Sequence, residues 1–149
     1  MAVERTYAML KPGVLQRRIA GEVLTRFERK GLKIVGLKLM KLDGELVAKH
    51  YAEHVGKAFY EKLVAYTVSG PVIALVIEGE EAIATVRRLV GPTDAAAALP
   101  GTIRGDFAYQ TRLNIVHASD SAASAAREIG LFFSPAEIIA WTDGNAEWF

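Results

Sequence analysis

The sequence predicts an α+β fold, an α/β sandwich built on one four-stranded sheet. Short apolar runs of strand length alternate with segments whose apolar residues recur at helical spacing, in the order β-α-β-(αα)-β-α-β-α. No repeat or linker interrupts the 149 residues, a length that suits one domain spanning 1–149. Four strands of this spacing fit an antiparallel sheet of ferredoxin-like order, βαββαβ, with helices packed against one face. A small parallel doubly wound sheet is the alternative, because the pattern alone does not separate the two.

The first three elements are a strand, an amphipathic helix and a second strand. Residues 6–10 form a short apolar run that stops at Lys11-Pro12-Gly13, which is typical of a strand followed by a turn. A helix is predicted from the apolar residues at positions 19, 23, 24 and 27, and Gly31 is suited to end it. The β-rich stretch at 32–42 predicts the second strand.

The remaining elements follow from the same periodicities and from turn residues. In chain order they are helical segments at 46–51 and 59–66, a buried strand at 72–77, a helix at 83–90, an irregular segment at 93–101, a strand at 113–116 and a helix that ends at Gly130. Ser69-Gly70-Pro71 forms a turn before the third strand, and Gly91-Pro92 ends the helix that follows it. Ser119-Asp120-Ser121 offers N-caps for the last helix.

The composition excludes several classes of site. The chain has no cysteine, so thiol nucleophiles, zinc fingers, iron–sulfur clusters and disulfide scaffolds are excluded. A balance of 18 Lys and Arg against 17 Asp and Glu is no general attractor for nucleic acid or an anionic membrane. The longest apolar run, 71–77, is far below the ~18 residues needed to span a bilayer. Charges stand where a signal peptide needs its apolar stretch, so we expect a cytoplasmic protein.

Two of the three histidines have the spacing of paired zinc ligands. His50 and His54 are four residues apart on one predicted helix. However, the chain has no cysteine, and its third histidine is far away in sequence. We therefore interpret His50 and His54 as two partly exposed histidines on an amphipathic helix.

His117 is a stronger candidate for a reactive group than His50 or His54. It follows a predicted strand and precedes a capped helix, whose N-terminal N–H groups and dipole suit an anion such as a phosphoryl group. The same positive end disfavours imidazolium and leaves a neutral ring nitrogen free to attack. Ser119 offers a nearby hydroxyl, whereas the spacing of eleven residues does not guarantee that Glu128 reaches His117. The alternative is a strand-end histidine that only hydrogen-bonds the backbone.

Cationic residues are scattered and match no familiar phosphate loop. The P-loop and dinucleotide glycine patterns are both absent. Lys11 lies at the end of a strand, and Thr93 lies just past the helix that contains Arg87. Arg87 is in the last turn of that helix, where a cation stabilises the helix without any role in binding. Arg104 lies in a Gly-flanked segment where backbone and guanidinium could both approach a phosphate. Phe59, on its helical stripe, is more typical of a core residue than of a base-stacking platform.

With these motifs in place, the chain closely resembles the nucleoside diphosphate kinase family over essentially its whole length. The most specific stretch is Asn114-Ile115-Val116-His117-Ala118-Ser119-Asp120-Ser121, which resembles the active-site signature of that family. Further matches are Glu4-Arg5-Thr6-Tyr7, Lys11-Pro12, Ser69-Gly70-Pro71-Val72, Pro100-Gly101-Thr102-Ile103-Arg104-Gly105-Asp106-Phe107 and Arg127-Glu128-Ile129-Gly130. Each motif alone is weak, and it is their joint order and spacing that carries the resemblance.

The resemblance implies a ping-pong transfer of the γ-phosphate of a nucleoside triphosphate, chiefly ATP, to a nucleoside diphosphate such as GDP. It implies that His117 is phosphorylated on Nδ1 and that Glu128 and Ser119 orient its ring. Tyr51 and Lys11 would lie against the transferred phosphoryl group. Such a reaction requires positioning and charge neutralisation more than bond-making by the protein.

The resemblance also implies how a nucleotide is held. The implied nucleotide-binding residues are Lys11, Phe59, Arg87, Thr93, Arg104, Thr111 and Asn114. Phe59 would stack on the base, which predicts little base discrimination because every base has a π-face. Mg²⁺ would be held mainly by the nucleotide phosphates, with no metal site in the protein. A homo-oligomer is implied, with a hexamer favoured over a tetramer, and no membrane or nucleic-acid partner is required.

The chain departs from the pattern of the family in four places. Gly13-Val14 replaces the usual Asp and small residue after Lys11-Pro12, and Ala118 replaces the commoner glycine. Thr111 occupies a position that is usually apolar and packs on the base, and Ala95 falls where the loop often has proline. None of the four removes a catalytic group.

A non-catalytic, ferredoxin-like regulatory module that binds nucleotide is the alternative function, since this fold hosts many functions. Such a module would have no need for His117 together with an orienting carboxylate. Nucleic-acid binding has no clustered basic stripe to support it.

Overall fold

A computed structural model describes residues 2–149 and contains one antiparallel sheet in the order β2-β3-β1-β4. The strands are β1 (Val3–Leu10), β2 (Lys33–Met40), β3 (Val72–Glu80) and β4 (Val116–Ala118). The helices are α1 (Ala20–Arg29), α2 (Gly44–His50), α3 (Tyr60–Val68), α4 (Ala82–Val90), α5 (Ile103–Phe107) and α6 (Ala122–Phe132). The predicted ferredoxin-like α+β fold is confirmed, and the parallel doubly wound alternative is wrong.

Helices cover both faces of the sheet, which corrects the expectation of one covered face. The inner parts of β1 and β3 are buried at consecutive positions, so side chains pointing to either side need apolar cover. On one face Leu75 packs with Phe27 of α1 and Val86 of α4. On the other face Tyr7 packs with Phe132 of α6. Within 2–149, no helix has the length and apolar character required to cross a membrane.

The first and last strands differ in extent from their predicted bounds. β1 begins at Val3 because its polar first half pairs with β3 from Val3 opposite Glu80 onwards. β4 covers Val116–Ala118, because Thr111–Leu113 forms a short 3₁₀ turn and Ile115 has a positive φ of 75°. A β-branched residue is rarely found in that region, so the chain is turned sharply just before β4.

This shift of β4 places His117 inside the strand rather than after it. His117 pairs with Met9 of β1, so its side chain shares the sheet face that carries Tyr7 and Met9. α6 then begins after Ser121, whose hydroxyl accepts the N–H of Ser124 at 3.1 Å as an N-cap. The helix continues past Gly130, where we expected it to end.

Candidate active site

A cleft of about 1110 Å³ gathers ten of the eleven candidate residues, and the eleventh lies beside it. The cleft is lined by Lys11, Tyr51, Phe59, Arg87, Thr93, Arg104, Thr111, Asn114, His117 and Glu128. Ser119 is buried and hydrogen-bonds one of these lining residues. Strand ends, loops and helices far apart in sequence therefore converge on one concave surface.

At the floor of the cleft His117 is hydrogen-bonded to a carboxylate. Nε2 of His117 lies 2.9 Å from Oε1 of Glu128. Because an ionised carboxylate only accepts hydrogen bonds, the Nε2 proton is the one donated, and Nδ1 of a neutral ring keeps its lone pair. The contact therefore leaves Nδ1 as the ring nitrogen with a free lone pair.

The carboxylate of Glu128 is itself held in place. The Ser119 hydroxyl donates to Oε1 of Glu128 at 2.6 Å, and Nη2 of Arg127 lies 3.6 Å from Oε2. Glu128 is 4% exposed, so its orientation depends on these neighbours and not on water. The contact between Glu128 and His117 that spacing left open is thus made.

Burial lowers the pKa of His117 below its usual value of 6.5. Glu128 opposes this shift by hydrogen bond and charge, whereas the cations of Lys11 and Arg104 reinforce it. The net direction keeps the imidazole neutral at pH 7. A neutral ring is the form that can attack an electrophilic phosphorus atom.

Lys11 is buried at the end of β1 and is held by Asn114. Its Nζ donates to Oδ1 of Asn114 at 2.7 Å. Burial, followed by repulsion from Arg104, lowers the pKa of Lys11 to about 7. An arriving phosphate would restore its charge, because an anion stabilises the ammonium form.

Arg104 belongs to the short helix α5 and supports the backbone of the site. Its guanidinium donates to the carbonyl oxygens of Gly91, Asn114 and Val116 at 3.0, 3.2 and 2.6 Å. Burial, with repulsion from Arg87 next, lowers its pKa to about 10, so Arg104 remains charged at neutral pH. The buried cation thus fixes three backbone segments at this side of the cleft and gives that side a positive charge.

Arg87 and Thr93 complete that side. Nη1 of Arg87 donates to the carbonyl oxygen of Ala118 at 3.1 Å, which ties the end of α4 to β4 beside His117. The carbonyl oxygen of Thr93 accepts Nδ2 of Asn114 at 3.3 Å, and the Thr93 side chain is exposed to the cleft. Arg87 and Thr93 therefore line the same cleft as His117.

Tyr51 caps the C-terminal end of α2 and is 5% exposed. Burial raises its pKa to about 12, so the phenol stays protonated, and its buried hydroxyl has no hydrogen-bond partner among residues 2–149. Its ring centroid lies 6.4 Å from that of His117.

The mouth of the cleft has one exposed aromatic ring. Phe59 immediately precedes α3 and is 49% exposed, so it belongs to the site and not to the core. The ring of His54 lies 5.3 Å from it, edge to face. Thr111 and Leu113 line the cleft from the 3₁₀ turn before β4.

The interpretation of His50 as a partly exposed surface residue is wrong. His50 is 2% exposed, and its ring centroid lies 4.6 Å from that of His117 and 5.2 Å from that of Phe132. Neither of its ring nitrogens has a hydrogen-bond partner in the structure described for 2–149. Burial lowers its pKa to about 2, so it stays neutral. His54 lies beyond α2, on a separate 3₁₀ turn, and also lines the cleft.

Sequence reasoning missed both histidines as parts of the site. The available signal was their proximity in sequence to Tyr51, which the resemblance already placed at the phosphoryl group. Neither interpretation of the pair, as zinc ligands or as partly exposed residues of an amphipathic helix, places them in this cleft.

The buried groups do not suit Mg²⁺. His50, His117 and Glu128 offer ligand atoms within 4.8 Å of one another, a set of two nitrogens and one oxygen. Mg²⁺ prefers oxygen ligands, and Oε1 of Glu128 is already shared by Ser119 and His117. The set is closer to the preference of a borderline metal such as zinc.

Comparison with known proteins identifies relatives along the full chain. A family model described as nucleoside diphosphate kinase matches residues 4–138. A nucleoside diphosphate kinase of Treponema pallidum (strain Nichols) is 57% identical and covers 100% of both chains. A protein of the same name from Archaeoglobus fulgidus is 53% identical over 98% of this chain and 97% of its own.

Solved structures agree with the sequence comparison. A halophilic nucleoside diphosphate kinase from Halobacterium salinarum, solved with CDP, superposes with a TM-score of 0.96 at 46% identity, covering 99% of this chain and 98% of that one. A nucleoside diphosphate kinase family protein from Babesia bovis gives a TM-score of 0.94 at 46% identity, covering 97% and 98%.

Proposed function

Because the chain belongs to the nucleoside diphosphate kinase family and has its kinase activity, we propose a route for the phosphoryl group through His117. The γ-phosphate of a nucleoside triphosphate, chiefly ATP, passes to Nδ1 of His117 and then to a nucleoside diphosphate. In the first step an N–P bond forms, and the bond from the γ-phosphorus to the bridging oxygen breaks. The nucleoside diphosphate leaves with that electron pair, and the second step reverses these changes.

The observation that carries this proposal is the contact between His117 and Glu128. A neutral ring whose Nε2 proton is donated 2.9 Å to a buried carboxylate has Nδ1 free for attack. As phosphorylation draws electron density from the ring, the carboxylate stabilises the positive charge that develops there. Ser119 keeps the carboxylate in this orientation.

Charge neutralisation is the second part of the proposed mechanism. Lys11, Arg87 and Arg104 line the same cleft as His117, and their positive charges complement the negative charge of a triphosphate. Three cations can also stabilise a loose transition state, in which negative charge is spread over the phosphoryl oxygens. Mg²⁺ held by the nucleotide phosphates would supply further neutralisation. Tyr51 donates from a phenol that stays protonated at neutral pH.

The nucleoside is held at its sugar and its base. Lys11 and Asn114, already joined at 2.7 Å, offer a donor and an amide to the ribose 3′-hydroxyl. Phe59 provides an exposed ring for stacking, which every base can use. One cleft thus serves ATP, GTP and other nucleotides in turn.

We further propose a cytoplasmic homo-oligomer, with a hexamer favoured over a tetramer. β2 lies at the sheet edge and exposes Leu37 (50%) and Leu39 (66%). An exposed apolar edge strand is suited to pairing with another chain. Sedimentation equilibrium gives the oligomer mass, and a monomer at micromolar concentration would contradict this proposal.

The phosphohistidine is tested by incubation with γ-labelled ATP and Mg²⁺. We expect an acid-labile, alkali-stable phosphoprotein that passes its label to added GDP, whereas His117→Ala gives none. Retained ADP binding by His117→Ala, measured by calorimetry, serves as the control for an intact cleft. Labelling that survives this substitution would overturn the role of His117. Absence of labelling in the wild-type protein would overturn the route through a phosphohistidine.

A further inference from the structure

Thr111 connects two segments that both line the cleft. Its hydroxyl accepts the backbone N–H of Ala95 at 3.0 Å and donates to Oδ1 of Asp94 at 3.0 Å. The same carboxylate oxygen also accepts the N–H of Ala96 at 3.1 Å. One hydroxyl therefore joins the turn before β4 to the loop after α4.

That loop carries the phosphate side of the cleft. Thr93 lines the cleft directly before Asp94, and its carbonyl oxygen is held by Asn114 at 3.3 Å. Gly91 is held by Arg104 at 3.0 Å. Ala95 is 6% exposed, so its N–H has little access to water if Thr111 is lost. The loop is thus fixed at three points, and Thr111 supplies the last of them.

The hydroxyl of Thr111 has no proton left for a nucleotide base. A threonine hydroxyl has one donor and two acceptor sites. Its donor is used by Asp94, and Ala95 occupies one acceptor site. Thr111 would therefore contact a base mainly through its methyl group. A methyl group donates no hydrogen bond, so this contact does not distinguish one base from another.

At position 95 the loop can be ordered by a proline ring or by a backbone hydrogen bond to Thr111, but not by both. A proline there has no N–H and could not donate to Thr111, although its ring would fix φ. The local backbone would accept it, because Asp94 is extended (φ −73°, ψ 110°) and Ala95 is the first residue of a 3₁₀ turn. Alanine leaves φ free but supplies the N–H that Thr111 uses.

We propose that Thr111 is a positioning residue, whose hydroxyl orders the Thr93–Asp94–Ala95 loop for nucleotide binding where no proline ring orders it. The proposal rests on the proposed function only in taking this cleft as the nucleotide site. Thr111 acts through the loop, not by reading the base. Its loss therefore weakens the binding of all nucleotides alike and leaves phosphoryl transfer at saturation nearly unchanged.

Four variants test this role: Thr111→Val, Thr111→Ser, Ala95→Pro and the double variant Thr111→Val/Ala95→Pro. Thr111→Val has nearly the same shape without the hydroxyl, and we expect KM for ATP, GTP and CTP to rise about three- to tenfold, as for one lost hydrogen bond. We expect kcat to change less than twofold. Thr111→Ser keeps the hydroxyl and should recover most of the wild-type KM.

The double variant gives the sharpest result. Proline at position 95 removes the N–H that Thr111→Val leaves unpaired and fixes the loop by its ring. We therefore expect the double variant to have a lower KM than Thr111→Val alone. The proposal would be overturned if the increases in KM of the two single variants simply add in the double variant. A rise in KM for nucleotides of one base only would also overturn it.

Hydrogen exchange of the unliganded protein gives a readout independent of activity. We expect the amide of Ala95 to exchange several-fold faster in Thr111→Val and at nearly the wild-type rate in Thr111→Ser. Unchanged exchange in Thr111→Val would overturn the proposal even if KM rises. An inactive wild-type protein with accelerated exchange in Thr111→Val would instead contradict the proposed function and leave the loop contact standing.

Discussion

Oε1 of Glu128 lies 2.9 Å from Nε2 of His117, although eleven residues separate them in the chain. β4 and α6 are joined by a short turn, and α6 packs back on the sheet face that carries His117. The second turn of α6 thereby reaches the middle of β4. The fold itself converts a sequence separation that guarantees no contact into a buried hydrogen bond.

Replacement of this carboxylate should slow the phosphorylation of His117. In Glu128→Gln the amide NH₂ can donate to Nε2, which favours the tautomer with the proton on Nδ1 and removes the attacking lone pair. Loss of a hydrogen bond to a charged group, worth about 1.5–3 kcal/mol, predicts a decrease of about ten- to a hundredfold. Rapid-quench measurement of phosphohistidine formation gives this rate directly.

Ser119→Ala is the matched control, since it removes a neighbour of Glu128 and keeps the carboxylate. We expect a loss of only a few-fold in the same assay. Equal losses in both variants would show that the charge of Glu128 has no special part in orienting the ring.

Phe59→Ala should raise KM for every nucleotide by a similar factor. Stacking on an aromatic ring contributes about 1–3 kcal/mol per base, and the half-exposed position of Phe59 favours the lower end, about fivefold to tenfold. Phe59→Tyr keeps the ring and should remain close to wild type. Steady-state assays with adenine, guanine and cytosine nucleotides make the comparison, and a large effect on one base only would contradict stacking.

Phe59 also shows where sequence reasoning reached its limit. Helical spacing placed it on a stripe with residues 63 and 66, which is typical of core residues. In the structure the helix begins one residue later, so Phe59 projects at the helix start beside the cleft. Periodicity detects a helix well but determines its first residue poorly. The family motifs, not the periodicity, assigned this residue to the nucleotide.

The order of strands and helices could be predicted because it depends on local patterns. The surroundings of His50 could not, since Tyr7 of β1 and Phe132 of α6 are distant in sequence and enclose it only in the fold. The start of β4 was misplaced for a local reason. Ile115 adopts a positive φ, which is unfavourable for a β-branched residue and leaves no sequence signal.

The pH dependence of kcat/KM should have a limb near pH 7 that belongs to Lys11. Its pKa of about 7 in the free protein means that the charge that attracts phosphate is lost as pH rises. On the acid side, activity falls as His117 is protonated, and this limb lies below pH 6.5 because burial lowers the pKa of His117 from its usual value of 6.5. Bound phosphate raises the pKa of Lys11, so the alkaline limb of kcat should lie at higher pH than that of kcat/KM.

Lys11→Arg identifies the group responsible for the alkaline limb. Arginine stays charged throughout the measured range, so this limb should disappear below pH 9.5 even if the larger side chain lowers the overall rate. Profiles of kcat/KM measured from pH 5.5 to 9.5 make the comparison. The same alkaline limb in both proteins would assign it to a different group.

His50 should make the protein less stable in mild acid. Its pKa is about 2 when folded against the usual 6.5, so the unfolded chain binds a proton that the folded chain excludes as pH falls below 6.5. Between pH 7.5 and 5 this lowers the free energy of unfolding by about 2 kcal/mol. His50→Phe removes that titration within an aromatic environment, so its stability should fall less over this interval, whatever its stability at pH 7.5. Urea unfolding at fixed protomer concentration measures both slopes, and equal slopes would show that His50 is protonated in the folded protein.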